Sequence, residues 1–321
     1  MKIELLIKGA KNQIYQPLIV DDLTWETERR GAPSQLKFTV VKDNIISFPE
    51  GCPVNLLVDG AKVFVGYVFQ KSRNKDQLIE CVAYDQLRYF KNKDIYLYKN
   101  KSASDVLKMI ASDHGFQLGT VEDTGFKISE RLENMSTLFD VVLNAIDLTA
   151  YHTKKLFVLY DDFGKICLRN IESMKLDLII EADTAEDFDY RTSIDEDTYT
   201  KVILIQGKGN EKSKAYVAPK VATDNMKNWG TLVYMEKVDD NLNAQERADQ
   251  ILSLKNRKTK HLTIKNACGD IRVRAGCSIN LHLNLGDTVE NRVMVCEKVT
   301  HYLSVDFHTM DITLRDGTSY V

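Results

Sequence analysis

The chain has 321 residues, 44% apolar and 28% charged, with 16 glycines and 5 prolines, which excludes collagenous, disordered and low-complexity classes and leaves room for two or three domains. Its 43 basic and 46 acidic residues give a formal net charge of −3, so no global field draws it to nucleic acid or to an anionic membrane. The six cysteines, at 52, 81, 167, 268, 277 and 296, form no C-x-x-C pair and read as reduced cytosolic thiols, most of them small buried apolar residues.

The opening MKIELLIKGAK alternates Ile3, Leu5 and Ile7 with polar neighbours and reads as a first strand, not a signal peptide. No stretch approaches the length of a membrane span. Period-two alternation continues through SQLKFTVVK, CPVNLLVDG, KVFVGYVFQ and QLIECVAYD, separated by the turn clusters RRGAPS, SFPEG and SRNKD, and predicts a small antiparallel sandwich or barrel. Gly66, inside a strand, signals a bulge or a close backbone approach. From about residue 100 the period changes. SASDVLKMIASDHG predicts a helix capped by Ser102 or Ser104 and stopped by Gly115, and MSTLFDVVLNAIDLTA predicts a buried helix capped by Ser136. KKLFVLYDDFGKICLRNI predicts a hairpin turning at Asp161 to Gly164. Strand patterns return from residue 185, interrupted by one helix, NLNAQERADQILSLKN, where Asn243 and Glu246 have capping-box spacing and Ala248, Ile251 and Leu252 form an apolar face.

EGCPVNLLV at 50–58 is echoed by AGCSINLHL at 275–283, an offset of 225 residues. The flanking strands follow in the same order: VFVGYVFQKS and QLIECVAYD after the first, RVMVCEKVTH and HTMDITLRD after the second, with Asp85 falling on Asp316. Trp25 to Phe38 can be laid on Tyr190 to Ile203 at an offset of 165, which places an insertion of about 60 residues before the second echo. The expected architecture is therefore mainly β with an α+β middle module. A first β-barrel-like domain occupies 1–94, the middle module 95–180, a related second domain 181–209 and 266–321, and an insert with one helix 210–265. A homotrimer of such a chain presents six similar units in a ring while its other parts stay threefold.

The stretches FPEGCPVNLLVDGAKVFVGYV and VAYDQLRYFKNK, the Ser-led helix at 102 and the closing RVMVCEKVTHYLSVDFHTMDITL resemble the baseplate hub proteins of contractile tails, of the XkdQ/YqbQ type found in PBSX-like prophages and R-type bacteriocins. The likeness covers most of the chain and is strongest at 45–110 and 270–315. It implies two β-barrel-like tube domains in each of three chains, forming a pseudo-sixfold ring that continues the hexameric tail tube and receives a trimeric central spike. The implied partners are further copies of the chain, the tail tube or tube-initiator protein and the spike, with tape measure and baseplate wedge proteins as candidate neighbours. The implied location is a tail or tailocin particle assembled in the bacterial host cytoplasm. Gly51, Gly66, Tyr84, Asp85, Gly276, Thr300, His301, His308, Thr309 and Met310 carry over as markers of fold and assembly only.

Catalytic signatures are missing. DDFG at 161–164 lacks the His-Arg-Asp loop and Gly-rich loop of a kinase, and GKGNEKS at 207–213 departs from both phosphate-binding glycine patterns. There is no G-x-S-x-G or H-E-x-x-H, and a carboxylate pair such as Asp239 and Asp240 is common in polar turns. Cys296, His301 and His308 are the ligand types of zinc, but they number only three and lack finger spacing; packing for the thiol and hydrogen bonding for the imidazoles is the simpler account. No catalytic, cofactor or metal residue is assigned. The rival classes are a barrel that binds nucleic acid or glycan, through the aromatic and basic stretch at 84–101, and a cell-wall-degrading tail enzyme. An acidic run at 181–198 and a basic run at 254–265 read as solvated faces, with steering of charged neighbours as the sharper alternative.

Overall fold

Period-two alternation becomes burial strand by strand in the computed structural model, which describes residues 1–9, 13–181, 186–206, 214–217, 223–238, 244–284 and 289–316. The expected mainly β architecture is present. The first strands are β1 (Ile3–Lys8), β2 (Ile14–Tyr15), β3 (Ile19–Glu28), β4 (Gln35–Val41), β5 (Pro53–Val58), β6 (Ala61–Arg73) and β7 (Leu78–Tyr84). Leu5, Ile7, Trp25, Leu36, Phe38, Val54, Leu56, Phe64, Val68 and Cys81 point into one core, and their alternate neighbours face outward.

A short 3-10 turn, Gln86–Lys91, leads into the middle module of β8 (Lys93–Lys101), α1 (Ala103–His114), β9 (Leu118–Val121), β10 (Ile128–Thr137), α2 (Leu138–Thr153), β11 (Phe157–Asp161) and β12 (Ile166–Asn170). Ser102 caps α1 in a reciprocal box with Asp105, and Gly115 ends it at φ +70°. The cap of α2 is Thr137 with Asp140, not Ser136. Ser136 is still strand, paired with Asp94 just beyond a bulge in the β10–β8 ladder, so the hydroxyl at the first helical turn belongs to the next residue. Phe163 and Gly164 both take positive φ between β11 and β12, with Asp162 N–H bonded to Lys165 O at 2.8 Å. DDFG is thus a two-residue hairpin turn. Both helices bury their apolar faces in a second core with Phe90, Phe157, Leu159, Ile166 and Leu168.

The remaining strands are β13 (Lys175–Glu181), β14 (Asp187–Ser193), β15 (Lys201–Gln206), β16 (Lys214–Val217), β17 (Val233–Lys237), β18 (Thr259–Cys268), β19 (Ser278–Asn284), β20 (Val289–Leu303) and β21 (His308–Asp316), with helices α3 (Thr223–Trp229) and α4 (Ala244–Lys255). Contacts divide the chain into two units, Met1–Asp189 with Thr263–Leu314, and Tyr190–Leu262 with Arg315–Val321.

In the large sheet the same strand order occurs twice. The first half runs β3-β4-β7-β6-β5-β1 and the second β14-β18-β21-β20-β19-β13. The echoed strings are the matching strands β5 and β19. Gly51 N–H bonds Val68 O at 2.7 Å and Val68 N–H bonds Cys52 O at 3.0 Å; Gly276 N–H bonds Cys296 O at 2.8 Å and Cys296 N–H bonds Cys277 O at 2.9 Å. Both glycines have positive φ, +81° and +93°, which the turn into the strand requires. One strand departs from the match: β1 is antiparallel to β5, whereas β13 is parallel to β19.

The laid-on stretch Tyr190 to Ile203 matches only in part. β14 takes the place of β3, but the place of β4 falls to β18, and β15 joins a separate sheet, antiparallel to β16 and parallel to β17. KVILIQ has the alternation of any half-buried strand, and alternation does not encode a partner. Helix α4 covers β15 with Ala248, Ile251 and Leu252, all fully buried, so the interruption contains more strand than the one-helix insert expected at 210–265. Residues 207–213, Asp239, Asp240 and Asn243 lie outside the described residues. Parts of the two charged runs meet inside the smaller unit: Lys255 pairs with Asp197 at 2.9 Å, and His261 approaches Glu196 at 3.7 Å.

Gly66 marks a close approach, as its place in a strand suggested. A Cβ there would lie 2.2 Å from Tyr84 O and 2.5 Å from the Phe64 ring, whereas one at Gly51 would meet nothing within 4 Å. Gly66→Ala is therefore expected to lose on the order of 2–4 kcal/mol in urea unfolding, against about 1 kcal/mol for Gly51→Ala, where only the left-handed backbone resists. Equal losses would refute the packing role of Gly66.

Candidate functional site

The two sheet halves are joined by backbone. β3 and β20 run antiparallel from Leu23 opposite Leu303 to Glu28 opposite Lys298, so a strand near the start of the chain completes a sheet made near its end. Outward side chains reinforce the seam: Lys298 pairs with Glu26 at 2.9 Å, Thr300 hydroxyl reaches Glu26 at 3.4 Å, and Arg29 Nε meets Glu297 at 2.8 Å with the arginine almost fully buried.

A chain of buried polar groups runs beneath these bonds. The Trp25 ring stacks on His301 with centroids 4.9 Å apart and planes at 17°. His301 Nε2 lies 2.8 Å from Val273 O, and a carbonyl only accepts, so this nitrogen carries the proton. His301 Nδ1, 2.8 Å from His308 Nε2, is then the acceptor of the His308 N–H. Gly269 backs the His308 ring with no room for a Cβ, which would fall 2.1 Å from it. From the other face of the stack, Trp25 Nε1 donates to Ser34 Oγ at 2.8 Å. Ser34 N–H and Leu87 N–H each donate to the buried Asp85 carboxylate at 3.0 Å. Asp85 thereby ends β7 and caps the 3-10 turn.

The middle module meets the same place through Asp161. Its carboxylate accepts from Gln86 Nε2 at 2.7 Å and Gly164 N–H at 2.8 Å; its backbone carbonyl accepts from Arg274, whose guanidinium lies 4.2 Å from the Tyr160 ring centre. Burial raises the Asp85 pKa well above the carboxylate range, and the charge of Asp161 adds to the shift. The Ser34 and Leu87 amides and Arg274 oppose it. Burial lowers His301 to about 4 and lowers His308 as well.

Of the ten expected marker residues, Thr300, His301, His308 and Asp85 converge on this junction. Tyr84 stands beside it, its hydroxyl accepting from Gln35 at 2.8 Å. Met310 is buried and Thr309 half-buried in β21. Gly276 packs its turn against Val158 of the middle module, and Gly51 and Gly66 serve the first half of the sheet. Ser34, Val273 and Arg274 were not singled out by sequence, while Trp25 and Asp161 were named only as the starts of a matched stretch and of a turn. Trp25 carried a further signal, as one of two tryptophans in the chain.

Both His301 nitrogens are committed to Val273 and His308, Cys296 is fully buried with its thiol pushed well up, and no group of His, Cys, Asp and Glu among the described residues is arranged to hold a metal. Burial also raises the Cys52 thiol to about 11 and raises that of Cys277, so the echoed cysteines are packing residues. In the stretch 84–101, Phe90, Tyr96 and Tyr98 are buried, which removes the row of exposed rings that a nucleic-acid platform needs.

The lowered His301 pKa has a definite sign. Between pH 6.5 and about 4 the unfolded chain binds a proton that the folded chain refuses, so stability falls on acidification through that window, by on the order of 3 kcal/mol for this group. Asp85 and Asp161, with raised values, act in the opposite sense. Replacing His301→Gln is expected to narrow its stability deficit against the unsubstituted protein as pH drops from 7 to 4, followed by urea unfolding. A constant deficit would contradict the buried neutral imidazole.

Comparison with known proteins places this fold. A family model described as YQBQ-like matches residues 23–315. The chain is 29% identical to the phage-like element PBSX protein XkdQ of Bacillus subtilis (strain 168), over 99% of this chain and 100% of the relative. Its fold is that of the 43 kDa tail protein of prophage MuSo2 from Shewanella oneidensis, with a TM-score of 0.72 at 13% identity over 99% of this chain and 100% of that one. The c3393 protein of E. coli, a type VI secretion component described as structurally similar to the T4 bacteriophage tail proteins gp27 and gp5, matches with a TM-score of 0.58 at 12% identity, over 100% of this chain and 78% of that one. The junction that joins the two sheet halves lies within the matched span, and the chain belongs to the YQBQ-like family.

Proposed function

We propose that this protein is a structural hub of a contractile tail or tailocin baseplate, a homotrimeric ring that joins a hexameric tail tube to a trimeric central spike. The observation that carries this is the strand order written twice in one chain, with identical backbone bonds at Gly51 and Gly276. Three chains then supply six similar sheet units, matched in number to a hexamer, while one middle module per chain keeps the opposite side threefold. The tail proteins and the gp27-like component among its structural relatives support the same assignment. Its work is geometric. His301, His308 and Asp85 are engaged in the joint between the halves and Asp161 in its tie to the middle module, and the protein acts without turnover. Tube and spike are its partners, and tape measure and wedge proteins are its candidate neighbours, in a particle assembled in the bacterial cytoplasm.

Electron microscopy of native particles, with antibody labelling of this chain, tests the proposal. A ring of three copies showing six similar lobes between tube and spike is expected. Label away from the tail end, or a single copy per particle, would overturn it.

A further inference from the structure

We propose that the ring closes by strand addition, β14 of one copy pairing along the free edge of β6 of the next; this rests on the ring reading above. The chain contains one filled example of the joint. β20 has β21 on one edge; on the other it has β19 as far as Val295, and then β3 from Lys298 to Leu303. Its counterpart β6 has β7 along Tyr67 to Arg73 on one edge, but on the other it has β5 only from Ala61 to Tyr67. Among the described residues no strand continues beside Gln70–Arg73. A cavity of ≈ 280 Å³ opens there instead, between Lys71 and Arg73 and the segment carrying Phe48 and Glu50. The counterpart of β3 is β14, which among the described residues ends the sheet with β18 as its one neighbour. Strands β18, β21, β20, β3, β4 and β7 separate β14 from β6 in the sheet, and the two are not paired with each other in the chain.

Side chains fit the same exchange. Lys71 and Arg73 line the cavity at the open edge, Lys71 also donating to Phe48 O, while Asp187 and Asp189 are exposed at the start of β14. In the filled joint Thr27 Oγ1 accepts from Ala275 N–H at 2.9 Å. The offsets of 165 and 225 put Thr192 in the place of Thr27 and Glu50, at the rim of the cavity, in the place of Ala275. An unpaired edge opposite a second unpaired edge of complementary charge is the arrangement that strand addition uses. Because the two surfaces differ, the contact is head-to-tail, and it gives a ring where the rotation between copies closes after three.

The test uses full-length chains with exposed Cys268→Ser, one carrying Ser72→Cys and the other Arg191→Cys, mixed and oxidised, with Ser129→Cys as the control partner. Sedimentation of the same samples reports assembly. Trimers with a disulfide between the Ser72→Cys and Arg191→Cys chains, absent with the control, are expected. The pair Lys71→Glu and Arg73→Glu should raise the Kd for assembly about tenfold or more, and Asp187→Lys with Asp189→Lys in the same chain should restore it. Trimers that form without the disulfide and ignore the charge reversal would overturn the strand-addition contact and leave the ring standing. Chains that stay monomeric both alone and in the particle would overturn the ring itself.

Discussion

The antiparallel ladder between β3 and β20 is the constraint on which the rest depends. It brings residues 23–28 beside residues 298–303, so the last strands of the chain must arrive before the first sheet half has a complete edge. Such a contact closes nearly the whole chain as a loop, and its entropic cost must be met locally. The stack of Trp25 on His301, with the bonds from His308 to His301 on one side of it and from Trp25 through Ser34 to Asp85 on the other, meets it. The Trp25 and His301 ring N–H groups and the Ser34 and Leu87 amides each have an acceptor, and a network so paired favours one arrangement of its members.

Asp161 extends that specification to the middle module. A carboxylate placed near buried Asp85 costs free energy unless amides and a cation compensate it, and here Gln86, Gly164 and Arg274 do so. Gln86 follows Asp85 directly and Arg274 precedes the Gly276 turn by two residues, so the same short segments that fix the sheet halves also fix the hairpin. Orientation of three substructures is thus set at one buried point.

Much of this architecture was legible in the sequence because alternation and turn chemistry are local. The strands of the first half, a serine cap at 102 or 104, the Gly115 stop and the Asp161 to Gly164 turn follow from residue type and spacing, and the structure selects Ser102. The echo at Gly51 and Gly276 was legible for the same reason, since a left-handed turn leading into a buried strand demands glycine at one position. What failed was partner choice. KVILIQ alternates as well as any strand in the large sheet, yet pairs elsewhere, and Trp25 gave no hint that its ring would lie on a histidine 276 positions away. Partners are chosen by contacts between distant segments, and a period carries no record of them.

The two halves are alike where backbone meets backbone and unlike where they meet other things. Gly276 is packed on Val158, while Gly51 has nothing within 4 Å; β13 runs parallel to β19, while β1 runs antiparallel to β5. The second half begins at a strand that emerges from the middle module, and that entry fixes both its direction and its crowded turn. A duplicated sheet with one copy tied to an inserted module cannot present two identical surfaces. It presents a repeated edge pattern with differing surroundings.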